Sequence, residues 1–263
     1  MQPNTIRSIW QRGECVLNGW LQIPSPFAAE MMAHAGWDSV TIDMQHGPVE
    51  YAAALGMVQA INTTATIPLA RVPWNEPGII MKMLDAGCYG IICPMVNSRA
   101  ECEAFVGACR YPPRGFRSYG PVRVAVYAGA EYAAQANDAI ITIAMIETRQ
   151  AVENLHDILQ TPGLDAIYIG PADLSQSYGY PPRVDPEQPE LVQVIDDIVA
   201  AARAHGVIPG MHTGSVAYAQ RLAAKGVQFV TVGSDARLLT QAATQATAAF
   251  RANKQERAEP GVY

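Results

Sequence analysis

The sequence predicts one (β/α)8 barrel, and three observations carry that prediction. The chain has 263 residues, close to the ~250 typical of such a barrel. Eight short apolar runs, each bounded by glycine, proline or polar residues, fall at 16–23, 39–44, 68–72, 90–96, 140–147, 166–170, 207–212 and 229–233. Val, Ile and Leu follow one another in these runs instead of alternating with polar residues, the pattern of parallel strands covered on both faces. An open doubly wound sheet is the rival arrangement. Eight strands without a dinucleotide-type glycine fingerprint favour closure.

The intervening segments read as helices in turn. A helix over 26–35 closes at Gly36, and the second run leads to a helix over 50–61. After the third run, Asn75 is the expected N-cap ahead of Glu76-Pro77, and Gly87 the expected C-cap of the helix over 77–86. Helices over 100–109, 151–159, 189–205 and 215–224 follow, the last two closed by Gly206 and Gly226. The loop Tyr111-Pro-Pro-Arg-Gly-Phe-Arg-Ser-Tyr-Gly120 is stiff and carries two arginines. It shapes either the mouth of a site or a subunit contact, the second being favoured. An Ala- and Gln-rich helix over 238–252 is expected to pack on a neighbouring subunit, with a loose tail from Glu256. No linker interrupts the pattern, so residues 1–263 form one domain, with about 238–263 as a C-terminal helical arm and tail.

Composition narrows the function class. A net charge of -6 and an isoelectric point near 5.4 leave no basic stripe for nucleic acid or an anionic membrane. No apolar run approaches the ~20 residues that cross a bilayer, and the first residues carry no signal-like segment. Cys15, Cys88, Cys93, Cys102 and Cys109 are odd in number and sit mostly among apolar neighbours. Reduced thiols in a cytoplasmic protein are the expectation. Cys88 and Cys93 lack partner ligands for a metal site.

Active sites of parallel α/β folds lie where the strands end. Three of the runs end on carboxylates: Asp43 in Thr41-Ile-Asp-Met-Gln-His-Gly47, Glu147 after Ile141-Thr-Ile-Ala-Met-Ile146, and Asp173 after Ile167-Tyr-Ile-Gly-Pro-Ala172. Glu147 and Asp173 on adjacent strands suit a hard divalent cation, Mg²⁺ or Mn²⁺ before Co²⁺, Ni²⁺ or Zn²⁺. The bland alternative is that both merely cap the helices that follow. Arg71 ends the third run, where a guanidinium needs an anion: a substrate carboxylate or enolate, or structurally Glu147 or Asp43. Asp43 and His46 stand three residues apart, so Asp43 is expected to accept a ring N–H and leave His46 as a general base. His34, His156 and His205 read as helix residues. His212 ends the seventh run and either contacts substrate or lines the wall.

One absence separates mechanisms. Lys82, Lys225 and Lys254 are the only lysines, and none stands at a strand tip where a Schiff base would form. No Gly-x-Ser-x-Gly elbow, P-loop or Cys-x-x-Cys is present.

The tip Asp43-Met-Gln-His46-Gly47, the run Ala70-Arg71-Val72-Pro73-Trp74-Asn75, the loop from Tyr111-Pro112-Pro113, the group Ile146-Glu147-Thr148 and the stretch Ile169-Gly170-Pro171-Ala172-Asp173-Leu174 together resemble the HpcH/HpaI family of class II pyruvate aldolases. This resemblance covers nearly the whole chain in order. It implies a barrel of the phosphoenolpyruvate/pyruvate type, a divalent metal held by Glu147 and Asp173, and a keto oxygen and enolate met by Arg71. It further implies proton handling by His46 with Asp43, and a substrate carboxylate received by backbone N–H groups near Gly170, Pro171, Ala172 and Asp173. A hexamer built as a trimer of dimers, with exchanged C-terminal helices, is implied as well. Met145, Gln45 and the segment around His212 depart from the common family pattern.

The expected reaction is reversible addition of a pyruvate or hydroxypyruvate enolate to an aldehyde, with 2-oxo acid and aldehyde as the partners. Decarboxylation of oxaloacetate through the same enolate is the alternative. A non-catalytic barrel is disfavoured, because a scaffold has no need of Asp43, His46, Arg71, Glu147 and Asp173 at four strand ends.

Overall fold

The computed structural model describes residues 3–256, so the end of the expected loose tail, residues 257–263, lies outside the described residues. The chain begins with helix α1 (Thr5–Gln11), and then strands and helices alternate. They run β1 (Val16–Leu21), α2 (Pro26–Ala33), β2 (Ser39–Asp43), α3 (Tyr51–Ile61), β3 (Ile67–Arg71), α4 (Pro77–Ala86), β4 (Gly90–Cys93) and α5 (Arg99–Cys109). Two short helices, α6 (Arg123–Ala128) and α7 (Tyr132–Ala139), precede β5 (Ile141–Ile146). Then come α8 (Arg149–Glu153), α9 (Leu155–Leu159), β6 (Ala166–Ile169), α10 (Pro171–Ser177), α11 (Pro189–Ala204), β7 (Ile208–Thr213), α12 (Val216–Ala224), β8 (Phe229–Ser234) and α13 (Asp235–Glu256). The eight strands pair in chain order, all parallel, and β8 closes on β1. The predicted (β/α)8 barrel is the fold.

Local chemistry starts most helices where the sequence placed them. Ser25, Ser98, Thr148 and Ser215 stand at N-caps and accept backbone N–H groups three residues on. Gly87 closes α4 at φ 107°, a conformation that disfavours side chains with a Cβ. One expected cap is corrected. Glu76, not Asn75, caps α4, its carboxylate accepting from Gly78 and Ile79, while Asn75 donates to the Glu101 carbonyl. Pro77 fixes the first helical residue and leaves the cap to its immediate neighbour.

Two apolar layers result from strand parity. Trp20, Leu69, Ile92, Ile143, Tyr168 and Phe229 fill the barrel, and Ile6 and Trp10 of α1 plug the end where the strands start. Val40, Ile42, Ala70, Ile91, Ile167 and Met211 face the helices. All five cysteines are free, and four are buried.

The loop 111–120 does not reach the mouth of the barrel. Arg117 is fully buried, reaching Asp85 at the end of α4 and the Tyr132 hydroxyl, with the Tyr111 and Tyr132 rings beneath its guanidinium. Arg110 joins Asp165 and the Ile140 carbonyl, just before β6 and β5. These contacts fasten the loop to the pole where the strands begin. Among the described residues, no helix is long and apolar enough to cross a membrane.

Candidate active site

Pairing of β2 with β3 puts Asp43 opposite Arg71 in register. Their side chains form a two-pronged ion pair: Arg71 Nε to Asp43 Oδ1 at 2.9 Å and Nη2 to Oδ2 at 2.7 Å. Trp20 Nε1 and Gln22 Nε2 also donate to Oδ2, at 3.1 and 3.2 Å. The backbone N–H groups of Gln45 and His46 donate to Oδ1, each at 3.2 Å. Six donors therefore converge on one buried carboxylate. Burial by itself would raise its pKa, but the Arg71 fork and the Trp20 N–H outweigh that and hold it at about 2.

This arrangement corrects one expectation. Asp43 does not receive the imidazole of His46; it binds the His46 backbone N–H, and the ring stands exposed on the tip. Both Asp43 oxygens are already taken by donors from β1, β3 and the turn. The structural pairing of Arg71 with Asp43 holds, yet it leaves Arg71 Nη1 without a partner among the described residues. The guanidinium also lies over the Trp20 ring, 4.9 Å from its centroid.

Glu147 follows β5 and is buried. Its Oε1 accepts the Met95 N–H at 2.8 Å, and Oε2 has no partner among the described residues. Burial pushes this carboxyl up to about 7; the Met95 N–H pulls the other way, and the negative charge of Asp173 adds to the rise. Asp173 sits exposed in the first turn of α10, its carboxylate also without a partner among the described residues. Gly170 makes room for the pair. A Cβ there would stand 2.9 Å from the Glu147 Cβ and closer still to Oε2.

Among the described residues, no three His, Cys, Asp or Glu side chains gather as a metal site. Glu147 and Asp173 nevertheless fit a divalent cation. One is a carboxyl driven toward protonation by burial and by the negative charge of the other, and the other is an oxygen donor with no partner among the described residues, which is the donor chemistry Mg²⁺ and Mn²⁺ take. Two protein donors leave the remaining positions to water and a chelating ligand.

His212 faces the same pole from β7. Its ring meets Trp20 edge to face at 5.1 Å, and Nδ1 lies 3.1 Å from the Tyr168 hydroxyl. Burial, and then the positive charge of Arg71, hold its pKa at about 4, so the ring is neutral at neutral pH.

The sequence pattern of the HpcH/HpaI aldolase/citrate lyase family matches residues 18–242, most of the chain. The chain belongs to that family. A hydroxypyruvate/pyruvate aldolase from Rhizorhabdus wittichii is 43% identical over 249 residues, 95% of this chain and 99% of the relative. A 4-hydroxy-2-oxo-heptane-1,7-dioate aldolase from Salmonella dublin is 35% identical over 263 residues, covering 99% of each. The crystal structure of an HpcH/HpaI family protein from Burkholderia cenocepacia superposes with a TM-score of 0.87 at 30% identity, covering 93% of this chain and 99% of that one. As a member of the HpcH/HpaI family, the chain is an enzyme of the carbon–carbon lyase type.

Several pole residues escaped sequence reasoning. Trp20 and Gln22 have the inward parity of β1, and that alternation was the available signal. Met95 gave none: its φ of 54°, unusual for a non-glycine residue, aims its N–H at Glu147 and follows from the tertiary turn.

Proposed function

We propose that this chain is a divalent-metal-dependent aldolase joining the enolate of a 2-oxo acid, pyruvate or hydroxypyruvate, to an aldehyde. One observation carries the reading. A guanidinium clamped by Asp43 with one arm free stands near enough to Glu147, whose Oε2 has no partner among the described residues, for its charge to oppose the burial that raises the Glu147 pKa. The names of the two relatives, both pyruvate-type aldolases, support it over decarboxylation of oxaloacetate.

Glu147 and Asp173 would hold the cation, Mg²⁺ or Mn²⁺ by donor type, which supplies Lewis-acid polarisation of a chelating 2-oxo acid. Arg71 Nη1 meets the keto oxygen, and its charge stabilises the enolate as the C3 proton leaves. Asp43 keeps that guanidinium from swinging, so no reorganisation accompanies charge development. His46, exposed at the tip of β2, takes the C3 proton and returns one to the new alkoxide. The backbone N–H groups of Ala172 and Asp173, on the first turn of α10, receive the substrate carboxylate.

The proposal extends to assembly as a trimer of dimers with exchanged C-terminal helices. Residues 237–252 of α13 are exposed along their whole length, Leu239 and Phe250 included. A groove of about 330 Å³ lined by Leu17, Trp37, Val216, Ala219, Val230 and Val232 lies between β1, β8 and α12. That is where the helix after the last strand of a barrel ordinarily packs. A cytoplasmic location is supported by the five free thiols.

Methyl-proton exchange of pyruvate in deuterated buffer, followed by NMR on metal-stripped protein with and without Mg²⁺ or Mn²⁺, tests the reaction without knowledge of the aldehyde. Metal-dependent exchange is expected. No exchange of pyruvate or hydroxypyruvate with any divalent metal would refute the aldolase reading.

A further inference from the structure

The outer layer of the barrel carries a pair of histidines that the proposed reaction does not use. His156 stands in α9 and His205 closes α11, and these two helices pack against each other. His205 comes just ahead of β7, so the pair lies toward the pole where the strands begin, opposite the end that holds Glu147 and Asp173. The His205 ring is held in one orientation. Its Nδ1 lies 2.9 Å from the carbonyl oxygen of Ala201, one turn back in α11. A carbonyl only accepts, so Nδ1 carries the proton, and in the neutral ring the lone pair of Nε2 is left free. Nε2 has no hydrogen-bond partner among the described residues, and neither nitrogen of the exposed His156 ring has one.

A histidine that binds metal through one nitrogen almost always donates the other N–H to a carbonyl or carboxylate, which fixes both tautomer and ring direction. His205 already makes that bond. The spacing of the two rings fits as well. A tetrahedral ion that meets an imidazole nitrogen at about 2.0–2.1 Å lies about 3.2 Å from the ring centre, which sets two ligating rings about 5.2 Å apart. The His156 and His205 centroids are 5.2 Å apart, and the rings are tilted by 49° instead of stacked. We propose that His156 and His205 form a second metal site, for a late first-row divalent cation of the Zn²⁺, Ni²⁺ or Cu²⁺ class, with His205 ligating through Nε2. Imidazole nitrogens select those ions, whereas carboxylates suit Mg²⁺ and Mn²⁺, so the two poles of the barrel sort cations by donor type. No third His, Cys, Asp or Glu side chain joins the pair among the described residues, and water fills the remaining positions. The ion ties α9 to α11 and stabilises the folded chain by mass action. This site does not depend on the reaction at the other pole.

The test uses metal-stripped full-length protein labelled with ¹⁵N at histidine, with Mg²⁺ in excess to occupy the carboxylate site, and Zn²⁺ titrated in. The ring nitrogens of His156 and His205 should shift together along one binding curve, with the metal on Nε2 of His205 and the proton retained on its Nδ1. Mg²⁺ alone should shift neither ring. In His156→Ala the Zn²⁺ affinity read at His205 should fall by at least the tenfold that loss of an outer-shell partner already costs a metal site. His205→Ala should cause the same loss read at His156. Separate curves for the two rings, an affinity unchanged by either substitution, or no shift of either ring with Zn²⁺ would leave a plain ring contact and overturn the proposal. The wild-type titration decides by itself should either variant fail to fold.

Discussion

Replacing Asp43 with asparagine removes the negative charge on which six donors converge. The amide keeps one acceptor oxygen and turns the other into a donor, so Arg71 loses its counter-charge and at least one of its two hydrogen bonds. Breaking a buried, hydrogen-bonded ion pair from one side costs about 3–5 kcal/mol, because the remaining charge is left uncompensated. The pKa gives an independent lower figure. Depression from the ordinary 3.8 to about 2 corresponds to about 2 kcal/mol of stability at neutral pH. Asparagine exceeds that figure by the misplaced donor. At about 2–4 °C per kcal/mol for a chain of this size, the melting temperature should fall by about 10 °C, measured at fixed protein concentration and without metal. The sign with pH follows from the depression. The ionised Asp43 stabilises the fold fully above its unfolded pKa, and that contribution is lost as pH falls from about 4 to about 2. The wild type should lose stability over that window by more than the variant does. A shift below about 2 °C in Asp43→Asn, with undiminished pyruvate exchange, would refute the view that this carboxylate clamps Arg71.

Other outcomes follow from the same geometry. Arg71→Ala should lower turnover by ~10²-fold or more, as loss of one oxyanion donor does, and wild-type rates of enolate exchange would remove Arg71 from its role. Gly170→Ala places a methyl group against the Glu147 carboxylate, so the affinity for Mn²⁺ by calorimetry should drop, as it should in Glu147→Gln. Unchanged affinity in both variants would move the metal elsewhere. The paired substitution Leu239→Glu and Phe250→Glu puts charge on the exposed face of α13 and should shift the particle mass by light scattering to smaller species. An unaltered mass would argue against helix exchange.

What the sequence determined by itself was local. Strands follow from unbroken apolar runs, and α2, α5 and α12 begin at Ser25, Ser98 and Ser215 because a hydroxyl at an N-cap needs only its own next turn. Strand ends place Asp43, Arg71, Glu147, Asp173 and His212 at one pole, since parallel strands in a barrel all point the same way. The partnerships among those residues were decided by tertiary structure. Proximity in sequence suggested Asp43 with His46, whereas register between β2 and β3 delivered Arg71 first and saturated the carboxylate. The Tyr168 hydroxyl meets His212 across 44 residues of sequence, and the N–H of Met95 reaches Glu147 across 52. Such contacts depend on how the closed sheet shears and which residues it brings level, and no single strand encodes that.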